Sequence, residues 1–185
     1  SKRKIKMTII SKSLVPDICI SDPLLLSTVN SEITRHTGME ALSHAIEAFL
    51  SLAATDLTNV HALHAIKLIS SNLRASVASQ VNEEAKVAMA QSSLQAGLAF
   101  SNAILGLVHA MSHQVGGLLD LPIGEISSIL LPYVMRFNLI SSMDKYVEIA
   151  RAMGAKVENM TTREAAEKAI EMVQMLAADV KIPSG

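Results

Sequence analysis

Between Lys86 and Asp120 run 33 consecutive residues, Val87 to Leu119, without one Asp, Glu, Lys or Arg. A stretch that long either crosses a bilayer or is buried inside a protein. Its contents argue for burial. Gln91, Ser92, Ser93, Gln95, Ser101, Asn102, His109, Ser112, His113 and Gln114 interrupt it at close intervals, and each unpaired polar group would be costly in lipid. The stretch therefore predicts two buried helices of a soluble bundle and no membrane partner. Half of the 185 residues are hydrophobic and only 3% aromatic, so Ala, Leu, Ile and Met must fill the core, which suits close helix–helix contact. With 16 Lys+Arg against 17 Asp+Glu, no overall basic field exists to hold a phosphate backbone, and nucleic acid is not expected as a partner. The single cysteine, Cys19, excludes an internal disulfide and a Cys-based zinc cluster. It fits a reducing compartment, and Lys2-Arg3-Lys4-Ile5-Lys6 leads into no signal-peptide core, so the expected location is cytoplasmic.

The organisation along the chain is uneven. Residues 1–21 hold two short β-prone runs, Met7-Thr8-Ile9-Ile10 and Asp17-Ile18-Cys19-Ile20, separated by Pro16. Two strands alone are not stable in water, so they read as a remnant of a sheet completed elsewhere. From Asp22 to Gly185 the pattern is mainly α, a multi-helix bundle. Helices are predicted over 37–52, 56–78, 82–101, 105–118, 125–137, 142–153 and 161–180. Thr37 with Glu40, and Thr161 with Glu164, match the capping box, while Asp56 and Asn82 are placed as N-caps. Gly116-Gly117, Pro122-Ile123-Gly124 and Gly154 mark the breaks.

Two i,i+4 pairs stand out against the apolar background: Glu40 with His44, and His109 with His113. Residues four apart on a helix share a face, so each pair aims two donor atoms at one region. Imidazole and carboxylate suit iron or zinc, and a bundle interior is where facing helices assemble such sites. The structural alternatives are plain. Glu40 doubles as the partner of Thr37 in the capping box, and a histidine on an apolar face is often a satisfied core residue. His61 and His64, at i,i+3 on a helix that also carries Lys67 and Arg74, belong to a partly solvated face and are not assigned to the site. His36 either approaches a ligand or ends a loop.

Three longer segments carry a family resemblance. Thr37-Gly38-Met39-Glu40-Ala41-Leu42-Ser43-His44-Ala45-Ile46-Glu47-Ala48 resembles the T-G-M-D-A-L-x-H-A-I-E-A signature of iron-containing, group III alcohol dehydrogenases. Gly106 through Gly117 is similar to the family's G-x-x-H-x-M-x-H-x-x-G motif, and Leu121-Pro122-Ile123-Gly124-Glu125 through Leu130-to-Asn138 resembles its P-H-G and L-L-P-x-V-x-x-x-N runs. Ser11 to Pro23 resembles the preceding S-x-x-L-x-P-x-x-x-I-x-D-P stretch. The motifs occur in order and cover most of the chain.

The resemblance implies an N-terminal α/β domain that binds NAD(P) through a G-G-G-S loop, and a helical domain that holds one divalent metal, Fe(2+) or Zn(2+), through an Asp and three His. No such loop occurs in these residues. The implied metal positions fall on Glu40, His44, His109 and Ile123, and His113 matches a further histidine beside the substrate, a catalytic role. Glu40 keeps a carboxylate on a longer stem; Ile123 has no donor atom. Residues 1–21 would then be the strand remnant of the nucleotide-binding domain, and 22–185 a metal-binding-type domain cut short after Ile182-Pro183-Ser184-Gly185. Two functions stay open. One is the helical domain of a metal-dependent, NAD(P)-linked alcohol dehydrogenase acting on a small alcohol or aldehyde, inactive as this chain alone and with a second copy as a further partner. The other is a degenerate, metal-free helical module serving assembly or partner binding. His113 or Glu125 is the candidate substitute for the donor absent at Ile123.

Overall fold

The computed structural model of the chain describes residues 6–183. Seven α-helices carry the fold: α1 (Ser31–Leu50), α2 (Asp56–Ala78), α3 (Glu83–Ala103), α4 (Leu107–Leu119), α5 (Ile123–Asn138), α6 (Met143–Ala152) and α7 (Thr162–Asp179). Short 3-10 turns lie at Lys12–Leu14, Pro23–Thr28 and Leu139–Ser141. The mainly α architecture expected from the hydrophobic pattern is what forms. No strand occurs among the described residues: Met7–Ile10 and Asp17–Ile20 form no ladder, and a lone β-prone run has nothing to pair with. Their apolar side chains face outward, with Met7, Ile9, Ile10, Ile18 and Ile20 all exposed. Lys2 to Ile5 and the terminal Ser184-Gly185 lie outside the described residues.

Helices α1, α2 and α3 pack on one another; α5 lies against α1 and α4, and the α6–α7 hairpin closes over α5 and α2. Met39, Leu42 and Ile46 of α1, Ile66, Ile69 and Leu73 of α2, Leu131 and Met135 of α5, and Ile149, Ile170 and Leu176 of the hairpin are fully buried together. The small residues set the spacing. A Cβ on Gly38 would stand 2.3 Å from Leu73 Cδ1, so α1 and α2 meet closely enough that a larger residue there would force the Leu73 side chain aside. One buried charge is paired at a helix end: the Lys86 ammonium donates to the last-turn carbonyl of Ser76 at 3.0 Å, where a cation also meets the negative end of α2.

Two caps differ from expectation, and one matters for the site. α1 begins at Ser31, with Asn30 accepting from the Ile33 N–H at 2.8 Å. Thr37 is therefore inside the helix, its hydroxyl donating to the Ile33 carbonyl at 2.9 Å, and the capping box with Glu40 does not form. His36 likewise sits in the helix, buried, instead of ending a loop. The N-cap of α2 is Thr55, in a box with Thr58, so Asp56 is the first helical residue. Asn82 caps α3 and Thr161–Glu164 forms the box that opens α7.

The long uncharged stretch resolves into α3 and α4, bent by 104° at the intervening break. Ile104 makes the corner with φ 67°, a backbone strained for a β-branched residue. α5 with its following turn, Ile123–Ser141, is long and apolar enough to cross a membrane, yet half of it is buried against the other helices, as a core helix would be.

Candidate metal centre

Freed from the cap, Glu40 presents its side chain from the middle of α1, one turn before His44. The helical spacing continues: Glu47 follows His44 by three residues, so Glu40, His44 and Glu47 share a face. α4 crosses that face with His109 and His113, again one turn apart. The His44 ring is sandwiched, stacked on Phe100 of α3 at 4.5 Å and on His109 at 4.4 Å with the two imidazoles 17° apart. His113 follows, its ring 6.4 Å from that of His109 and tilted by 48°. The structure thus gathers His44, His109 and His113 into one row, with Glu40 close enough to feel the charge of His109.

Gly124 lets α5 into the same corner. A Cβ there would lie 2.5 Å from the His36 carbonyl oxygen and 3.0 Å from Glu40 Oε2, so the first turn of α5 touches both the α1 backbone and the Glu40 carboxylate. Ile123, the first residue of α5, is half-buried and supplies no donor. Glu125 is half-buried in the same turn. His61 instead pairs with α3, its Nδ1–H donating to Gln95 Oε1 at 2.5 Å, and His64 is exposed; neither joins the row, as expected.

Two residues of this region carried no weight in the sequence reading. Glu47 is buried and accepts from the backbone N–H groups of Val108 at 2.6 Å, Gly106 at 3.0 Å and His109 at 3.3 Å, and its Oε2 lies 2.6 Å from His109 Nδ1. The available signal was its place three residues after His44 in an otherwise apolar helix. Lys6 reaches in from the N-terminal segment, donating to the Leu121 carbonyl at 3.2 Å. Nothing local in the sequence announced that contact, because it joins residues 115 apart.

The electrostatics suit donor groups. Burial pushes the His44 imidazole down to about 3, with His109 and then His113 adding to the effect. Burial also lowers His113, followed by His109 and Lys6. Both rings are therefore neutral at ordinary pH and keep a lone pair. Burial raises Glu40, against the pull of His109 and Lys6. Three buried ring nitrogens have no hydrogen-bond partner: His36 Nε2, His109 Nε2 and His113 Nδ1. Such orphans are unusual in a folded interior. Imidazoles and a carboxylate match in kind what iron or zinc takes. In position the set is open: among the described residues no three His, Cys, Asp or Glu side chains converge as metal ligands. A cavity of about 590 Å³ is lined by Glu47, Leu50, Ile104, Val134 and Tyr146, and none of the three histidines of the row lines it.

Helical architecture, motif order and histidine row together define a known class. The family model described as Fe-containing alcohol dehydrogenase family, C-terminal, matches residues 34–185, and the chain belongs to that family. It is 46% identical over 183 residues to the 1,3-propanediol dehydrogenase of Citrobacter freundii, covering 99% of this chain and 47% of that protein. It is 42% identical over 185 residues to the NAD-dependent methanol dehydrogenase of Bacillus methanolicus, covering 100% and 49%. Among solved structures, a 1,3-propanediol oxidoreductase superposes with a TM-score of 0.87 at 48% identity, covering 88% of this chain and 42% of that one. The chain thus spans about half the length of the relatives it matches and corresponds to their C-terminal, helical domain.

Proposed function

We propose that this chain is the metal-binding half of an NAD(P)-linked dehydrogenase for small alcohols, with Glu40, His44 and His109 as the metal's protein ligands and His113 as a catalytic residue at the substrate. The observation that carries the reading is the stacked His44–His109 pair beside Glu40, with His109 Nε2 buried and unpaired. A bound Fe(2+) or Zn(2+) would supply Lewis acidity, favouring loss of the alcohol proton before hydride leaves for the nicotinamide. The chain's own residues do the rest. Phe100 and His109 hold the His44 ring between them and keep water from its faces. His113, neutral and one turn beyond His109, is suited to take up or pass on the alcohol proton through its unpaired Nδ1.

Residues 1–21 belong, in this reading, to the nucleotide-binding domain, whose sheet would cover the outward Met7, Ile9, Ile10, Ile18 and Ile20. The relatives' names support the chemistry: one is NAD-dependent and acts on methanol, another is an NADPH-dependent butanol dehydrogenase. Such an enzyme has no need of membrane or nucleic acid, and its expected location is cytoplasmic.

A second reading, the degenerate module without metal, is favoured by two observations: Ile123 has no donor, and among the described residues no three ligands converge. Titration of the metal-free chain with Zn(2+), and with Fe(2+) under nitrogen, separates the two. The dehydrogenase reading expects one ion per chain, tighter binding in Ile123→His, and loss of binding in His44→Ala and His109→Ala. A folded Ile123→His variant that still takes up no ion would defeat the ligand assignment.

A further inference from the structure

We propose that Glu47 is a positioning residue: its carboxylate holds His109 in the tautomer that carries the proton on Nδ1, so that Nε2 is the nitrogen left to donate. The proposal rests on the metal reading above only in the use made of Nε2; the tautomer is a property of the metal-free chain.

Both oxygens of Glu47 accept. Oε1 takes the Val108 N–H at 2.6 Å, and Oε2 takes the Gly106 N–H at 3.0 Å and the His109 N–H at 3.3 Å. Three backbone N–H groups thus point at the carboxylate, and an ionised carboxylate is an acceptor only. The remaining contact, Oε2 to His109 Nδ1 at 2.6 Å, must therefore take its hydrogen from the ring. A neutral imidazole with its proton on Nδ1 has its lone pair on Nε2, and Nε2 is the buried atom without a partner.

The same four contacts explain why the arrangement is rigid. α4 has no side-chain cap of its own, because its N-cap is Gly106. The Glu47 carboxylate, delivered from α1, takes over that task and sits at the positive end of the α4 dipole. One carboxylate thus binds the backbone of His109 and its ring together, so the orientation of the ring is tied to the start of its helix. Gly106 is needed for the approach: a Cβ there would lie 2.9 Å from Glu47 Oε1. Carboxylate partners on the far nitrogen of a donor imidazole commonly fix tautomer and ring direction.

The test is Glu47→Ala, read by long-range ¹H–¹⁵N correlation of the histidine rings in metal-free protein and by Zn(2+) titration. Wild-type His109 is expected to show a protonated Nδ1 and a lone-pair Nε2. In the variant no carboxylate is left to accept from Nδ1. The ring then shifts toward the opposite tautomer, and zinc affinity falls by about 10–100-fold. A lower melting temperature with an unchanged tautomer would make Glu47 a helix cap only and overturn the proposal. The wild-type spectrum is decisive even if the variant does not fold, because a protonated Nε2 there overturns it at once. A reversed tautomer in a protein whose wild type takes up no zinc would support Glu47's role and overturn the metal reading instead.

Discussion

Replacing Gly124 by Ala tests whether the corner between α1 and α5 is as tight as the structure makes it. The added methyl would stand 2.5 Å from the His36 carbonyl oxygen, 2.9 Å from its carbon and 3.0 Å from Glu40 Oε2. The nearest obstacle is backbone in the middle of a helix, which cannot rotate aside as a flexible side chain would. To regain an ordinary contact of 3.4–4 Å, the first turn of α5 must withdraw by about 1 Å, and overpacking of this kind costs roughly 1–3 kcal/mol. For a chain of this length that corresponds to a fall of about 2–12 °C in Tm. Gly97 provides the control. It lies in α3 with nothing within 4 Å of a built Cβ, so Gly97→Ala should gain helix propensity, roughly 0.5–1 kcal/mol, and melt a few degrees higher. Thermal unfolding by circular dichroism reads both. If Gly124→Ala melts at or above the wild-type temperature, the close approach is wrong, and with it the contact of the first turn of α5 with Glu40.

Two further outcomes are expected. In metal-free protein, His44 stays neutral down to about 3 while its unfolded counterpart takes a proton near 6.5; the unfolded chain then binds more protons, so unfolding free energy falls as pH drops from 6.5 toward 3. Glu40, raised by burial, works oppositely above 4.5. Chemical denaturation of wild type and His44→Phe across this range should show a shallower slope in the variant, and equal slopes would refute the shift. Tyr146, fully buried in α6, donates its hydroxyl to the Met135 carbonyl at 2.9 Å. Tyr146→Phe should cost about 1 kcal/mol with no change in metal affinity, and an unchanged denaturation midpoint would show that bond to be energetically idle.

The consequence of Ile123 is quantitative. On the proposed ligand assignment two imidazoles and one carboxylate remain, a set of the kind that holds Fe(2+) with open positions, so the isoleucine at 123 is expected to lower affinity without removing the chemistry. The alternative, a metal-free module, has the same packed core, in which Met39, Leu42, Ile66 and Ile149 are buried among other apolar side chains.

Periodicity and caps were local information, and they decided the helices: the apolar spacing of α2, α3 and α7, Asn82 before α3, and the Thr161–Glu164 box all depend on residues within a turn of one another. The same locality misled at Thr37, where a correct capping pattern sat inside a longer helix because Asn30, seven residues earlier, already supplied the N-cap. Motif order identified the family, and with it Glu40, His44, His109 and His113 as residues of interest, since functional side chains repeat at helical spacing even when read from sequence. Their meeting was decided elsewhere. The stacking of His44 on His109, the grip of Glu47 on the start of α4, and the reach of Lys6 to Leu121 join residues tens of positions apart, and only the 104° bend between α3 and α4 and the crossing of α4 over α1 bring them together. Spacing along a helix determines which side chains share a face; which faces then meet depends on packing, where glycines at 38, 106 and 124 set how closely the helices can approach.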